Sequence, residues 1–547
     1  MTRPAGEITP IGKSGARLGD VLHEVPGARL VTGSPDVVVR GVHQDSRRVG
    51  AGDLFIARVG GKANGEAFIG DAIRKGAVAV MVARGSAAST EGAARVEAED
   101  VPRALAFAAA SVYGHPTFSV EAIGITGTNG KTTTSYLTAA AIRGCGERPG
   151  VVGTLGYRFE GLDLPATHTS PEADELARIA AMMRDGGATH LVMEVSSIAL
   201  AAARADAVRF RVAAFTNLTQ DHLDYHGSMA EYAAAKARLF FDLSPGAAAV
   251  NVDDAFGVRL SERVREQKMP HASVLARYSA RTDAGSDVEV APESIELGPS
   301  GIAMRVRTPA GVVEVRSPLI GAHNASNLLC ALSCAYLLDL DVKDAAAALS
   351  ANVVVPGRLE RCDDPAKDDV VALVDYAHTP DALERVLGSV RAFAKRSDGS
   401  PSRVVCVFGC GGDRDPKKRP MMGEVVGRLA DLAIVTNDNP RTEDPSAIVA
   451  AIVPGVRKAG ATPIVEMDRR AAIELAIRSA QPGDVVLLAG KGHEPYQILK
   501  DRTIAFDDRD EARRALAMRR GEAGAEGDAR DAGATGAVGA TGGGEAS

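Results

Sequence analysis

The feature that most limits the possible folds is a series of short apolar runs, each of strand length and each followed by polar residues. Three of them are HLVMEVSS (190–197), VAAFTNLT (212–219) and AAAVNVDD (247–254), and helix-length segments separate them. Such runs are typical of parallel strands covered by helices on both faces. Ligands of these sheets gather beyond the carboxyl ends of the strands, so the polar residues after each run are the candidate site residues.

The runs fall into three groups, which predicts an α/β chain of three domains. A chain of 547 residues also exceeds what one core supports. We expect an N-terminal α/β domain at 1–117, a central domain with a parallel sheet at 118–355, and a C-terminal domain built of βαβ units at 356–520. The alternating stretch 288–317 predicts antiparallel hairpins within the central domain. Residues 521–547 are mostly Gly and Ala and predict a disordered tail.

Composition excludes several classes of protein. The net charge of −7 argues against general affinity for nucleic acid or anionic membranes. No apolar run is long enough for a membrane span, and the N-terminus lacks the apolar stretch of a secretory signal. Cys330, Cys334, Cys406 and Cys410 lie in apolar segments, where buried reduced thiols are a better interpretation than a metal site. We therefore expect a cytoplasmic protein.

The stretch GITGTNGKTTT (124–134) predicts a phosphate-binding loop between a strand and a helix. Gly127 and Gly130 let backbone N–H groups face an anion at the helix N-terminus. Lys131 can reach the β- and γ-phosphates, and the Thr132 hydroxyl can bind Mg²⁺. The full Walker pattern would need Gly at Ile125, so a chance Gly-rich turn is the alternative.

Two further segments could complete such a site. Glu194 ends the strand run at 190–194, and Asp221, His222, Asp224 and His226 cluster after the next run. The cluster fits either a divalent-metal site or a helix cap. Lys236 lies on an otherwise apolar helix, where its residue type alone favours a surface lysine whose stem covers the helix.

Seven ordered motifs together resemble the Mur ligases, which are ATP-dependent amide-forming enzymes of peptidoglycan synthesis. They are GTNGKTT, MEVSS, TNLTQDHLDYHG, YAAAKARLF, GAHNASN, PGRLE and VDYAHTPDAL, and the resemblance covers residues 40 to 515. It implies phosphorylation of a carboxylate by ATP, followed by attack of an amine on the acyl phosphate. It also implies that the N-terminal domain binds UDP-MurNAc, that the central domain is a P-loop ATPase-like, ATP-binding domain, and that the C-terminal domain is Rossmann-like and binds the amino acid. FGCGGDRDPKKRP, TNDNPRTEDP and AGKGHEPYQ resemble the branch that adds meso-2,6-diaminopimelate to the D-Glu of UDP-MurNAc-L-Ala-D-Glu.

The resemblance also implies roles for residues of the central site. Lys131, Glu194, His222 and Lys236 are implied to be catalytic, Lys236 as a carbamate (N6-carboxylysine). Thr132, Glu194 and His222 are implied to hold Mg²⁺. ATP and Mg²⁺ are therefore the expected cofactors, and closure of the third domain on the site is implied as well. The residues implied to bind ATP are Gly127, Thr128, Asn129, Gly130, Lys131, Thr132, Thr133, Asn324, Arg358 and Asp375.

The other two substrates are assigned in the same way. UDP-MurNAc-dipeptide would contact Gln44, Ser46, Gly61, Lys62, Ala63, Thr169, Ser170, Ser196 and Arg204. The chain departs from the family after MEVSS, where Ile198, Ala199 and Ala202 replace the usual His, Gly and Gln. Diaminopimelate would contact Arg414, Asp438, Asn439, Pro440, Arg441, Gly490 and Glu494. Its distal carboxylate suits a guanidinium such as that of Arg441. Lysine-adding relatives lack arginine at this fourth position of the DNPR motif.

Two rival functions share parts of this pattern. Folylpolyglutamate synthase has the same fold and acyl-phosphate chemistry, but DNPR, GKGHE and the N-terminal HQDSR segment argue against it. A P-loop switch or scaffold would bind nucleotide and ligate nothing, and it would leave the polar motifs of the third domain unexplained. The expected partners are small-molecule substrates, with no nucleic acid and no membrane span, and we expect a monomer.

Overall fold

The computed structural model describes residues 15–59, 64–266, 274–298, 300–351, 353–394 and 399–522. The N-terminal part carries a five-stranded sheet of order β2-β7-β6-β5-β4, parallel except for β2, and the separate pair β1-β3. Its elements are β1 (Ala16–Arg17), α1 (Leu18–Glu24), β2 (Ala28–Thr32), β3 (Val38–Val39), β4 (Gly41–His43), β5 (Asp53–Ile56), α2 (Ile69–Arg74), β6 (Ala79–Ala83), β7 (Ala94–Ala98) and α3 (Val101–Val112).

The central sheet has eight strands in the order β11-β10-β9-β12-β8-β13-β14-β15. The six neighbouring strands from β9 through β15 in this order run parallel. The elements up to its last strand are β8 (Glu121–Thr126), α4 (Lys131–Gly144), β9 (Pro149–Gly153), β10 (Gly156–Phe159), β11 (Leu162–Leu164), α5 (Ala173–Asp185), β12 (His190–Glu194), α6 (Ser197–Ala201), β13 (Phe210–Phe215), α7 (Leu223–His226), α8 (Met229–Phe241), β14 (Ala247–Asn251), α9 (Ala255–Glu266) and β15 (Val274–Tyr278).

The hairpins expected at 288–317 are present as a three-stranded antiparallel sheet. This sheet consists of β16 (Ala291–Gly298), β17 (Gly301–Thr308) and β18 (Gly311–Ser317), and α10 (Ala322–Leu337) and α11 (Val342–Ser350) follow it. Short 3₁₀ helices cover Ser46–Arg48, Gly65–Phe68 and Pro116–Phe118.

The C-terminal part carries a six-stranded sheet of order β19-β20-β24-β21-β22-β23, in which the neighbouring strands from β20 through β23 are parallel. Its elements and those around it are β19 (Glu360–Arg361), β20 (Val371–Asp375), α12 (Pro380–Phe393), β21 (Val404–Phe408), α13 (Lys418–Leu429), β22 (Leu432–Val435), α14 (Pro445–Lys458), β23 (Ile464–Val465), α15 (Arg469–Ser479), β24 (Val485–Ala489), β25 (Tyr496–Ile498), β26 (Thr503–Ala505) and α16 (Asp508–Arg519).

The core of the central part has two layers, one on each face of its sheet. On one face, Ile125 and Val192 pack with Leu137 of α4 and Leu328 of α10. On the other face, Met193 and Phe215 pack with residues of α5 and α8. Helix α10 is buried almost all round, which explains its apolar sequence NLLCALSCAYL. Both faces are therefore covered, as the runs predicted.

Packing divides the described residues into two units. The first comprises Met1–Glu360 with Tyr376–Ala394, so it includes α12, and the second comprises Arg361–Asp375 with Lys395–Ser547. The domain boundaries set from the sequence remain predictions, and residues 523–547 of the expected tail lie outside the described residues.

The cysteine pairs lie in the cores. Cys330 and Cys334 are buried on α10, and Cys406 and Cys410 are buried on and after β21. Burial raises the pKa of Cys406 and of Cys410 to about 12, so these thiols stay protonated. No helix in the described part of the chain combines the length and apolarity needed to cross a membrane.

Candidate active site

The phosphate loop follows β8, and its shape is fixed by the strand beside it. Thr128 N–H donates to Asn217 O (2.8 Å), and Asn129 N–H donates to Asn217 Oδ1 (2.9 Å). The Thr216 hydroxyl donates to Asn129 O (2.6 Å). A Cβ on Gly127, whose φ is +154°, would lie 1.9 Å from Thr216 Oγ1. The residues directly after β13 therefore fix the shape of the loop, and they approach it so closely that only glycine fits at position 127.

Two lysines converge on the loop. Lys131, the first residue of α4, donates from Nζ to Gly127 O and Thr128 O at 2.9 Å each. Lys236 Nζ donates to the same Gly127 O at 2.9 Å, and the residue is 1% exposed. The surface-lysine alternative for Lys236 is therefore wrong, because α8 turns this side chain into the molecule. Burial, and then the charge of Lys131, lower the pKa of Lys236 well below its usual range.

Glu194 gathers three oxygen- or nitrogen-bearing groups at the end of β12. Its Oε2 accepts from the hydroxyls of Thr132 (3.0 Å) and Thr154 (3.1 Å), and its Oε1 accepts from Thr154 N–H (2.8 Å). Arg358 donates from Nη2 to Thr132 Oγ1 (3.3 Å) and stacks on the Tyr376 ring. A buried carboxylate, a hydroxyl and a guanidinium thus meet beside the first turn of α4.

The Asp/His cluster is divided between two environments. His222 precedes α7 in a left-handed conformation, and its Nε2 lies 3.6 Å from Asp221 Oδ2. His226 is buried and bonds Ser197 Oγ through Nε2 (2.9 Å). No group of three or more His, Cys, Asp or Glu side chains within the described ranges has the arrangement of a metal site. His222 alone of the two histidines is exposed enough to meet a ligand.

The residues assigned to the dipeptide lie together around Ser170. Its hydroxyl donates to Glu194 O (2.9 Å) and accepts from Ser196 N–H (3.0 Å). Arg204 donates to Ser170 O (3.1 Å), and Thr169 accepts from Thr154 (3.2 Å). The cluster is continuous with Glu194, although 34 residues separate Ser170 from Arg204.

The N-terminal residues are described only in part. Gln44 contacts Asp174 through its backbone and side-chain nitrogens at 3.4 Å each, and Ser46 is buried. Gly61, Lys62 and Ala63 lie outside the described residues.

Asn324 is buried on α10, where its amide is already engaged. Nδ2 donates to Ile320 O (2.8 Å), and Oδ1 accepts from Asn327 Nδ2 (3.0 Å). Asn327 Oδ1 in turn accepts from the Thr134 hydroxyl on α4 (3.2 Å). The GAHNASN motif of α10 thereby contacts α4, the helix that follows the phosphate loop.

Asp381 is a residue that the sequence reasoning missed. Its Oδ2 accepts from Asn129 Nδ2 of the loop (3.0 Å) and from the Thr219 hydroxyl (2.9 Å). Asp381 lies in the first turn of α12, 252 residues from Asn129. Within the quoted VDYAHTPDAL motif, only its acidic type at a helix N-terminus could have singled it out.

The second unit carries the residues assigned to diaminopimelate, on loops after the carboxyl ends of its strands. Arg441, after β22, has φ +52° and donates from Nη1 to Gly412 O (2.8 Å). Asn439 Nδ2 donates to Glu494 Oε2 (2.7 Å). Asp375 ends β20, and its O accepts from Gly490 N–H (3.0 Å). Arg414 is exposed on the loop after β21, and Asp438 and Pro440 are buried beside Asn439.

A buried ion pair supports these loops from below. Arg469 Nε and Nη2 donate to the two oxygens of Asp508 at 2.7 and 2.6 Å, and neither side chain is exposed. Arg469 also donates to Asn437 O (3.2 Å) and to Ala489 O (3.0 Å). It therefore links the ends of β22 and β24, from which Asn439 and Glu494 follow.

Three segments of the chain match models of one family. Residues 38–113 match "Mur ligase family, catalytic domain", residues 125–335 match "Mur ligase middle domain", and residues 357–492 match "Mur ligase, glutamate ligase domain". A UDP-N-acetylmuramoyl-L-alanyl-D-glutamate–2,6-diaminopimelate ligase of Synechococcus elongatus is 44% identical over 490 residues, which cover 88% of this chain and 95% of that relative. The chain belongs to the Mur ligase family.

Solved structures agree with this membership. One whose title is "Structure of UDP-N-acetylmuramoyl-L-alanyl-D-glutamate--2, 6-diaminopimelate ligase" is 32% identical, with a TM-score of 0.65, and covers 91% of this chain and 99% of that one. Folylpolyglutamate synthase of Mycobacterium tuberculosis shares the fold at 21% identity and a TM-score of 0.56, over 70% of this chain and 90% of that one. The fold therefore does not separate the two ligase types, whereas the Mur ligase matches do.

In this Mur ligase, the three residues that differ from the family pattern after MEVSS lie on or directly after helix α6. Ser196 caps α6 by accepting from Ala199 N–H (3.1 Å), and Ala199 is buried. Ile198 lies on this short helix and Ala202 directly follows it, and both are half-buried. Ser196 and Arg204 both contact Ser170 in this chain.

Proposed function

We propose that this Mur ligase joins meso-2,6-diaminopimelate to the D-Glu carboxylate of UDP-MurNAc-L-Ala-D-Glu at the expense of ATP. The observation that carries the proposal is the 44% identity over 95% of the length of a relative named for this reaction. We infer a cytoplasmic monomer that acts on these small-molecule substrates in peptidoglycan precursor synthesis.

The chemistry requires two anions to meet. The D-Glu carboxylate attacks the γ-phosphorus of ATP and ADP leaves. The diaminopimelate amine then attacks the acyl-phosphate carbon, loses a proton and displaces phosphate. Both steps need positive charge around the phosphoryl group. Lys131 and Arg358 are placed to supply it, because both contact the first turn of α4 or its loop.

Glu194 and Thr132 fit a magnesium site. Their oxygens lie 3.0 Å apart, and carboxylate and hydroxyl oxygens are ligands that Mg²⁺ prefers. We propose that these two residues hold Mg²⁺ with help from His222. The bound ion would neutralise phosphate charge. The role of the chain is to aim the two oxygens and, through Thr154, to fix the carboxylate that carries one of them.

Lys236 fits the role of a carbamate-bearing lysine. Carbamate forms when a neutral amine attacks CO₂ and a proton leaves, so a lowered pKa favours it. Burial lowers the pKa of Lys236, and the Gly127 carbonyl accepts from its nitrogen. The carbamate would place a negative charge beside the Lys131 ammonium, whose own pKa burial lowers.

The second unit suits a zwitterionic amino-acid end. Arg441, with Arg414 nearby in sequence, offers guanidinium groups to a distal carboxylate. Glu494 and Asp438 offer acceptors to a distal ammonium, and Asn439 holds the Glu494 carboxylate by donating to it. Lysine has no distal carboxylate, so this arrangement supports diaminopimelate as the added residue.

Phosphate release tests the function directly. Purified protein with ATP, Mg²⁺ and UDP-MurNAc-L-Ala-D-Glu is offered meso-diaminopimelate, L-lysine or no amino acid in parallel. Release accompanied by a tripeptide product with diaminopimelate alone is the expected result. Release with lysine would keep the ligase and refute the specificity, and no release in any reaction would refute the ligase.

A further inference from the structure

A lysine without any role so far is enclosed in the second unit. Lys491 follows β24 and has no exposed surface. Its Nζ donates to Asn439 Oδ1 (3.2 Å) and lies 3.5 Å from Glu494 Oε2 and 3.8 Å from Asp438 Oδ1. A buried ammonium is costly unless it is paired, so these partners account for its presence.

The group contains one more carboxylate than ammonium. Asp438 is 6% exposed, and its Oδ1 accepts no hydrogen bond from the described residues. Burial raises the pKa of Glu494 and lowers the pKa of Lys491, so each group relies on the charge of the other to stay ionised. One buried acceptor and one negative charge are left over, and a single additional ammonium would satisfy both.

Lys491 and the backbone of Ile498 together fix the direction of the Asn439 amide. Asn439 Oδ1 receives two donors, Lys491 Nζ and Ile498 N–H (2.9 Å). Its Nδ2 must therefore face the opposite direction, where it donates to Glu494 Oε2 at 2.7 Å. The Glu494 carboxylate is thus held by an amide that Lys491 helps to orient.

The loop geometry beside Asp438 leaves little freedom. Gly490 has φ +116°, and a Cβ there would lie 3.1 Å from Asp438 Oδ2. Gln497 Nε2 donates to Asp438 O (2.8 Å), which fixes the backbone of the same residue. The Asp438 carboxylate is therefore held in place by its surroundings, while its buried Oδ1 has no hydrogen-bond donor among the described residues.

We propose that Lys491 is a positioning residue for the amino-acid substrate: it orients Asn439 and Glu494 and leaves Asp438 Oδ1 to accept the distal ammonium. The inference rests on the proposed function, since it takes diaminopimelate as the substrate. Lys491 does not contact the reacting amine or the acyl phosphate. Its effect is on binding of the far end of the added amino acid.

Replacing Lys491 by methionine should weaken that binding. Two buried carboxylates this close cannot both remain ionised without a cation, so one takes up a proton and the net charge that faces the substrate is not increased. Asn439 meanwhile loses a donor that fixes its amide. Loss of charge-assisted orientation of this kind should raise KM for diaminopimelate at least about tenfold.

The test measures KM for all three substrates in the full-length wild type, Lys491→Met and Lys491→Gln. We expect Lys491→Met to raise KM for meso-diaminopimelate at least about tenfold and to leave KM for ATP and for the UDP-linked substrate within twofold. Lys491→Gln keeps an N–H donor toward Asn439 and should recover part of the loss. If Lys491→Met does not fold by circular dichroism, Lys491→Gln is judged by the same criterion. Lys458→Met, on the exposed face of α14, is the matched control.

Each result is informative. An unchanged KM for diaminopimelate, or an equal rise in KM for all three substrates, would overturn the positioning role. The wild type separates this from failure of the proposed function, because a wild type that does not consume diaminopimelate refutes the function itself.

Discussion

Lys236 Nζ and Gly127 O are hydrogen-bonded at 2.9 Å, although the two residues are 109 positions apart. The same carbonyl accepts from Lys131, so one buried and one half-buried lysine share one acceptor at the phosphate loop. Like charges at this distance disfavour one another, which is why the charge of Lys131 contributes to the lowered pKa of Lys236.

Lys236→Ala should reduce kcat by about 100-fold, a loss typical of removing one electrostatic group from an active site. Formate, acetate or propionate should restore part of the rate, because a small carboxylate can occupy the space of the lost carbamate. Phosphate release with each acid measures this, and Lys343→Ala on the exposed face of α11 is the control. Full activity of Lys236→Ala without any acid would refute the carbamate.

Glu194→Gln should raise the Mg²⁺ concentration for half-maximal activity about 10- to 100-fold. The amide keeps the shape and the contact with Thr154 N–H but removes the negative charge. Titration of activity with Mg²⁺ at saturating ATP measures the shift. Glu262→Gln, exposed on α9, should leave the curve unchanged, and an unchanged curve for Glu194→Gln would rule out the assigned ligand.

Asp381→Ala should raise KM for ATP about tenfold, because it removes a charged acceptor shared by Asn129 and Thr219. The rate at saturating ATP should change less, since Asp381 contacts the loop and not the assigned metal ligands. Steady-state kinetics with varied ATP separates the two effects. Asp344→Ala on α11 is the control, and a normal KM for Asp381→Ala would show that α12 does not influence the loop.

Arg441→Ala should lower kcat/KM for diaminopimelate about 100-fold. The ratio of kcat/KM for diaminopimelate to kcat/KM for lysine should fall as well. Arg441 has φ +52°, and alanine bears the same backbone strain, so the comparison isolates the guanidinium. Parallel assays with the two amino acids give the ratio. Arg457→Ala on α14 is the control, and an unchanged ratio would assign the distal carboxylate to another residue.

His323 should make folding stability pH-dependent. Burial, with a smaller effect of Arg385, lowers its pKa to about 4, whereas an unfolded histidine titrates near 6.5. The unfolded state therefore binds the proton first, and stability present above about pH 6.5 is lost as pH falls toward 4. Allowing for the partial exposure of the ring, His323→Gln should reduce the loss between pH 7 and 5 by about 1 kcal/mol. Urea unfolding at both pH values measures it, and parallel curves for both proteins would contradict the assignment.

The phosphate-loop element could be predicted from sequence because its determinants are local. Helix α4 begins at Lys131 and ends at Gly144, as the run KTTTSYLTAAAIRG indicated. An apolar strand, glycines able to adopt positive φ and a helix-forming segment lie within 25 residues, so no distant contact is needed to recognise them.

Asp381 and Lys491 show where this reasoning ends. Lys491 stands between two glycines in GKGHE, and its burial comes from Asp438 and Asn439, about 50 residues earlier. The strands β9 to β11 were missed for another reason: PGVVG is short and glycine-rich, and its strand character depends on pairing with β12. Long-range partners, not residue type, decide these positions.

Hydrogen bonds with Asn217 and Thr216 fix the backbone of the phosphate loop at Asn129. Ordering that backbone is therefore part of the entropy cost of folding and need not be met again when ATP arrives. The heat-capacity change of ATP binding, measured by calorimetry, should therefore contain little contribution from ordering of this loop. The glycine that permits this closeness, Gly127, thus influences the thermodynamic signature of the ligand as well as the shape of its site.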